Sequence, residues 1–596
     1  NILALLTDPE CLKTAHNANF ERTCIAAHFG IVCDPVEWEC TAVLASVAGL
    51  PSSLDKASKA LGLDVKKDAA GSALIRYFSI PCKPTKANGG RTRNFPEHDR
   101  AKWAQYVDYC KQDVRTEMAI RNALLKAAEV PEIEKRLWNL DQRINDTGVL
   151  VDLDLVAGAV KVDAANKAAL TKQAVEITGL ARPNSRDQLI GWLNEELEEE
   201  ITTLRKGDVP ALLKAAVGKD AVEQMLAIRQ ELSKSSVTKY KAMIATRGLG
   251  GRIRGLFQFY GAGTGRWAGR GVQVQNLTKH SVTDVELAVL RDRIKAGDLQ
   301  GIELLFGGAA AMLSQAIRTA FVPPAGKVFT IADFSAIEAR VIAWLAGETW
   351  RLGVFNTHGK IYEASASQML KVPIDQIGKG SPLRQKGKVA ELALGYQGGP
   401  GALINMGALA MGIPEEELPV LVRMWRNANP AIVRLWFDCE AAALAAVADG
   451  ERVPVRGGHV VFAREGKWLT IRLPSGRKLY YYNAQVAQGK FGQVVSYEAK
   501  TSKGAGVVER VETYGGKLVE NIVQAIARDC LAWAMMRLDR AGYKIVMHIH
   551  DEVVLETEPG EAAMKDVDRI MSEPISWAKG LPLKAESYQS AFYRKD

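Results

Sequence analysis

The segment Tyr543-Lys-Ile-Val-Met-His-Ile-His550-Asp551-Glu552-Val-Val-Leu-Glu556 constrains the fold more than any other. Two β-branched runs flank His-Asp-Glu, which predicts an antiparallel hairpin with these three polar residues at its tip. An aspartate in an exposed turn is commonplace. Two adjacent acids wedged between apolar strands are less so, because like charges repel unless a cation compensates. A second run, Lys327-Val-Phe-Thr-Ile-Ala-Asp333-Phe-Ser335-Ala-Ile-Glu338-Ala-Arg340, brings Asp333 to the end of a predicted strand. Ile337, Val341, Trp344 and Leu345 follow at helical spacing. Asp333 also suits a helix cap, and Ser335-x-x-Glu338 reads as a capping box.

With 596 residues the chain is too long for one core and divides into about three to five packed units. Its net charge of +9 permits a polyanionic partner without proving one. Eight scattered cysteines, none in a C-x-x-C pair, point to a reducing compartment, hence the cytosol of a bacterium or a phage-infected host. No apolar run approaches the ~18 residues of a membrane span, so no membrane partner is expected. The chain begins without methionine, on residues that resemble a domain interior, which suggests that it is cut from something longer. Strands and helices alternate up to about residue 125, with a basic loop at 83–94. From 130 to 250 the pattern is helical and charge-laced, acidic at Glu195–Glu200 and basic at Lys234–Lys241, and reads as an extended arm.

Between the two acidic sites lies Ser381-Pro-Leu-Arg384-Gln-Lys-Gly-Lys388-Val-Ala-Glu-Leu392-Ala-Leu-Gly-Tyr396-Gln-Gly-Gly-Pro400. Ser-Pro starts a helix well and Gly-Gly-Pro stops one. Arg384, Lys388, Leu392 and Tyr396 recur every fourth residue and line one face over roughly 18 Å. That face runs from cationic through apolar to aromatic, matching a nucleotide laid along it with its phosphates first. A solvated basic helix end followed by core residues gives the same pattern.

Together the three segments resemble the polymerase motifs of the family A DNA polymerases. The resemblance implies an α+β multidomain right-hand polymerase, preceded by a partial ribonuclease H-like α/β exonuclease domain. The expected division is exonuclease-like 1–128, thumb 129–250, palm 251–357 and 515–596, and fingers 358–514. The implied reaction is template-directed DNA synthesis from deoxynucleoside triphosphates onto a primer 3′-hydroxyl, with release of pyrophosphate. Asp333 and Asp551 would hold two magnesium ions, manganese substituting, with Glu552 a secondary carboxylate. Arg384 and Lys388 fall on the triphosphate-binding pair, and Lys388 suits protonation of the leaving pyrophosphate. Tyr396 falls near the template base, His550 beside the nucleotide, and Glu338 on the residue that excludes a ribose 2′-hydroxyl. Leu392 replaces the usual aromatic ring and Gln397 the usual glycine, which leaves sugar discrimination open.

Thr264-Gly-Arg266 and Gln275-Asn276 resemble the family's minor-groove segment, whose acceptor positions are shared by all base pairs. Gln524 matches a template-side glutamine; Asn521 is one residue out of the usual spacing. Lys234, Lys239 and Lys241 resemble a thumb tip that tracks phosphates. Near the N-terminus, Asn17 to Glu21 and Tyr109 to Asp113 resemble the second and third motifs of the attached 3′–5′ exonucleases. The Asp-x-Glu of the first motif is missing, so residues 1–596 are not expected to proofread. A β-rich element at Val453–Tyr482, enlarged relative to bacterial relatives, and the short exonuclease are similar to phage and prophage members. The expected partners are primer–template DNA and deoxynucleotides, bound by a monomer; the sequence is silent on processivity factors. A single-subunit RNA polymerase shares a similar palm, but Glu338 and His-Asp-Glu argue against it. A DNA-binding protein on a decayed scaffold would not need Asp333, Arg384, Lys388 and Asp551 together.

Overall fold

The two acid-bearing segments meet in one antiparallel sheet of four strands. These are β1 (Val328–Phe334), β2 (Lys544–Ile549), β3 (Glu552–Thr557) and β4 (Ala585–Ser590), in the order β2-β3-β1-β4. The computed structural model describes residues 2–63, 71–127, 129–198, 200–205, 207–234, 237–378, 380–490, 492–500 and 508–595. Ile549 pairs with Glu552, so the hairpin turn is His550-Asp551 alone, and His550 takes a left-handed φ of 59° to close it. β1 is buried on both faces along most of its length, as its unbroken Val-Phe-Thr-Ile-Ala run requires. The helix α3 (Gly515–Arg540), apolar nearly all round, packs against β2 of the sheet and against α1 (Ile337–Ala346).

The helical stretch after residue 150 differs from the expected arm. Helices Leu153–Thr178, Arg186–Leu197, Val209–Ala215 and Asp220–Leu232 close around a core of their own, with Leu189, Leu193, Val222, Met225 and Leu226 essentially inaccessible. The charged surface masked this apolar interior in sequence. The β-rich element is also larger than predicted. It is a six-stranded antiparallel meander from Val453–Val455 to Val508–Thr513, pairing in sequence order.

The N-terminal region contains a two-stranded parallel sheet, Lys13–Ala15 beside Trp38–Cys40, with helices around it. It docks on that meander. Trp468 Nε1 donates to Ala48 O at 2.8 Å, and the Tyr482 hydroxyl donates to Ala60 O. Gly49 passes so close to the Tyr480 carbonyl that a Cβ would sit 2.4 Å from its oxygen, and it has φ 72°; both facts demand glycine. A buried ion network ties the same regions to α3. Arg528 bonds both carboxylate oxygens of Glu134, at 2.5 and 2.8 Å, while Asp529 accepts from Arg477 at 2.9 Å. Removing one member would strand a buried charge.

Candidate active site

Register brings the carboxylates together. Asp333 pairs with Glu552 across β1–β3 and with Glu586 across β1–β4, and the Phe334 N–H donates to Asp551 O at 3.3 Å. The Asp333 and Asp551 side chains lie within hydrogen-bonding reach of one another. Burial, then the Asp551 charge, pushes the Asp333 carboxyl well above the usual range, with Lys595 opposing and Glu552 adding. Glu552, 1 % exposed, is pushed up to about 7, mainly by burial, against the charge of Lys595 and the hydroxyl of Tyr593. Asp333 Oδ1 is buried and finds no hydrogen-bond partner. An orphaned carboxylate oxygen beside a second carboxylate is what a hard divalent cation satisfies, so the donor set fits the implied metal. Among the described residues no three His, Cys, Asp or Glu side chains form a complete cage. An ion here would therefore complete its shell with phosphate oxygens and water.

Beside the carboxylates opens a cleft of about 340 Å³ lined by Glu338, Ile342, Tyr362, Leu392, Tyr396 and Asp551, among others. The capping box expected at Ser335-x-x-Glu338 does not form. The helix α1 is capped by Ala336 in a left-handed conformation, with no side-chain bond. Glu338 is instead held from two distant segments: Arg266 donates to Oε1, and the Tyr396 hydroxyl donates to Oε2 at 2.8 Å. Local spacing suggested the cap; the cleft-side partners lie 72 and 58 residues away.

The helix α2 (Pro382–Leu394) forms as predicted, with the Ser381 side chain accepting from Leu383 N. Arg384 pairs with Glu363 at 2.7 Å. Lys388, half-buried, has no hydrogen-bond or ion-pair partner among the described residues. Leu392 is half-exposed in the cleft. The departure at Gln397 has a physical reading. The residue keeps the left-handed conformation that a glycine would adopt (φ 67°), and its side chain accepts from the Gly516 N–H at 2.8 Å.

A family model described as DNA polymerase family A matches residues 160–420. A DNA polymerase of Bacillus phage SP02 is 55% identical over 599 residues, covering 100% of this chain and 91% of that protein. The chain belongs to the family A DNA polymerases. It is also 23% identical to the thermostable DNA polymerase I of Thermus aquaticus over 76% of its own length, and spans about half (47%) of that longer protein. The solved polymerase domain of Pol1 from M. smegmatis, in complex with DNA primer-template and dNTP, shares its fold. The TM-score is 0.59 at 18% identity, over 99% of this chain and 88% of that one.

In this family A polymerase two of the expected DNA-contacting residues meet cavities: Arg266 reaches Glu338 in the cleft, and Gln524 lines a separate groove. Gln275 Oε1 is buried with no hydrogen-bond partner, Asn276 donates to Gln273 at 3.3 Å, and Gln524 donates to Glu520 at 3.1 Å. Asn521 donates to the Tyr481 hydroxyl at 3.0 Å. Burial, above all, pushes the His550 imidazole below its usual range, and the ring lies against the Gln275 backbone. A groove of about 330 Å³ runs from the Gly261–Thr264 loop past Gln524 and Lys517 to Tyr480 and Tyr497 of the meander. Sequence reading missed this wall, because nothing local in the meander marks which strand faces the groove. Lys234 pairs with Glu231 and Lys239 is half-buried on the following helix; Ser235 and Ser236 lie outside the described residues.

In the N-terminal region the Tyr109 hydroxyl is bonded to Asp113, and its ring fills the space over Gly71, where a Cβ would lie 2.0 Å away. Glu21 is raised by burial and by the charge of Glu117. Among the described residues this region holds no cluster of three metal-ligating side chains. No helix of the polymerase's described residues is long and apolar enough to cross a membrane. Sequence reading also missed Tyr593 and Lys595, which come from the segment after β4 to Glu552 and, for Lys595, to Asp333.

Proposed function

We propose that the polymerase extends a primer 3′-hydroxyl on a DNA template through Asp333 and Asp551, with two magnesium ions as the resident metals and manganese as a substitute. The observation that carries this is the buried, partnerless Asp333 oxygen beside Asp551, at the mouth of the cleft that Glu338 lines. When bound, the ions would lower the pKa of the primer hydroxyl and neutralise charge on the triphosphate. The 3′-oxygen forms a bond to the α-phosphorus as the bond to pyrophosphate breaks. Asp333, fixed by strand pairing with Glu552, and Asp551, in the two-residue turn beside it whose carbonyl accepts from the Phe334 N–H, would keep the reacting groups in register. Lys388, uncommitted to other partners, holds the phosphates and gives a proton to the leaving pyrophosphate. Arg384 joins it after leaving Glu363. Glu338 excludes a 2′-hydroxyl, and Tyr396 leaves it to stack near the template base.

Arg266, Gln275, Asn276 and Gln524 would grip the minor-groove side of primer–template DNA, and Lys234 and Lys239 the phosphates. This reading assigns 129–250 to the thumb, 251–357 and 515–596 to the palm, and 358–514 to the fingers, working as a monomer. The residues 1–128 form the exonuclease-like part, and the commitment of Tyr109 to Asp113 supports the view that residues 1–596 do not excise a mispaired primer end.

Primer extension by the wild type, Asp333→Ala and Asp551→Ala, with magnesium, manganese or chelator, tests the assignment. Synthesis should require a divalent ion and vanish in both variants. Persistent extension by either variant would overturn it.

A further inference from the structure

The segment after β4 turns back towards the acidic sites and is pinned residue by residue. Tyr593 is fully buried, and its N–H donates to Phe321 O at 2.9 Å. Its hydroxyl donates to Glu552 Oε1 at 2.8 Å and accepts from Arg318 at 2.7 Å. Phe592 lies 4.4 Å beneath the Arg291 guanidinium, and the Arg594 carbonyl accepts from the Tyr588 hydroxyl at 2.6 Å. Arg594 pairs with Asp284. These contacts deliver Lys595 to one place. Its ammonium nitrogen is 3.9 Å from Asp333 Oδ2 and 3.9 Å from Glu552 Oε2.

That distance is informative when set against the ion pair that Glu556 of β3 makes. Arg252 Nη2 donates to both oxygens of Glu556 at 2.8 and 2.9 Å, a tight ion pair. Lys595 touches two carboxylates at the outer limit of an ion pair and donates no close hydrogen bond to either. A compact ammonium on a flexible stem neutralises such a cleft and leaves it easily. Glu552 is different: one oxygen is taken by Tyr593 and the other faces Lys595. It is satisfied by the protein, and serves as the link between the pinned segment and Asp333, its partner in strand register.

We propose that Lys595 is a positioning residue, a tethered cation that balances Asp333 and Glu552 before divalent ions and nucleotide arrive and releases Asp333 when they do. This rests on the metal-binding role given above to Asp333 and Asp551. A positive charge so near the metal ligands opposes divalent binding, so removing it strengthens that binding.

The test is Mn2+ titration of the full chain on primer–template DNA without nucleotide, by calorimetry, for the wild type, Lys595→Met and Lys595→Arg. Lys595→Met should bind Mn2+ roughly fivefold to tenfold more tightly. It should also unfold at a lower temperature than the wild type in chelator and gain more on adding Mn2+. Lys595→Arg should follow the wild type. Unchanged or weaker Mn2+ binding by Lys595→Met refutes the tethered-cation role while leaving the two-carboxylate site standing. If the wild type binds no more Mn2+ than Asp333→Ala does, the metal site itself falls, and this role with it.

Discussion

The Tyr396 hydroxyl donates a 2.8 Å hydrogen bond to Glu338 Oε2, joining the segment just after α2 to the first turn of α1. Arg266 holds the other oxygen. The carboxylate is therefore fixed in the cleft from two distant segments, and its orientation depends on both.

Sugar selection should follow from that clamp. Glu338→Ala opens the space for a 2′-hydroxyl and should raise ribonucleotide use relative to deoxynucleotide on the order of a hundredfold. Tyr396→Phe keeps the ring but removes a hydrogen bond to a charged group, worth about 1.5–3 kcal/mol, and should relax selection by about tenfold. Single-nucleotide insertion with matched ribo- and deoxynucleotides gives the ratio of kcat/KM values. An unchanged ratio in Glu338→Ala would falsify the gate.

The Arg384–Glu363 pair implies competition with the triphosphate. Glu363→Gln weakens the hold on Arg384 and should lower the KM for nucleotide roughly twofold to fivefold, the worth of a part-exposed ion pair. Lys388→Ala should act mainly on the chemical step, cutting kcat by about a hundredfold or more. Presteady-state kinetics separate the two effects. A Lys388→Ala enzyme impaired only in KM would not fit a proton donor.

His548 predicts a pH response. It is fully buried between Phe257, with ring centroids 4.2 Å apart, and Trp267 at 4.5 Å, and burial, with the Arg528 charge, pushes its pKa down to about 3. A depressed histidine stays neutral in the folded state while the unfolded chain takes up a proton. Its contribution is present above pH 6.5 and is lost as pH falls towards 3. The loss is about 1.4 kcal/mol per pH unit, so about 2 kcal/mol by pH 5. His548→Phe should reduce the stability difference between pH 7 and pH 5 by that amount in urea unfolding. An identical difference in both proteins would show that His548 is not the group responsible.

Gly516 meets the residues just after α2 with no room to spare. A Cβ there would lie 2.4 Å from Gln397 Cβ and 2.5 Å from Tyr396 O. Since one neighbour is backbone, Gly516→Ala should cost about 1–3 kcal/mol. It should also displace Tyr396, raising the nucleotide KM. Thermal unfolding and steady-state kinetics check both, and a variant normal in each would mean that the contact yields freely.

The parts of this site legible in sequence are those written within a few residues. The hairpin around Asp551, the strand that carries Asp333 and the helix bearing Arg384, Lys388 and Leu392 are local patterns and form as read, although that helix stops at Leu394, before Tyr396. What eluded sequence reading depends on long-range packing. Ser335 and Glu338 have capping-box spacing, yet Glu338 turns to Arg266 and Tyr396 because the cleft supplies stronger partners than its own helix end. Tyr593 and Lys595 reach the carboxylates only because β4 runs beside β1. The core around Leu193 and Met225 lay hidden under charged neighbours, whose spacing signals a helix but not what the helix packs against.

The docking of the N-terminal region on the meander also sets a timetable. Ala60 waits for Tyr482, 422 residues further along. At ~5–20 residues per second of synthesis, the early helices spend roughly 20–80 s without the surface that covers Ala48 and Gly49. During that interval their apolar side chains are open to chaperones, to proteases and to other nascent copies. Yield in the cell should thus depend on how fast the ribosome reaches the meander, and slow codons before residue 480 should lower it more than the same codons after it.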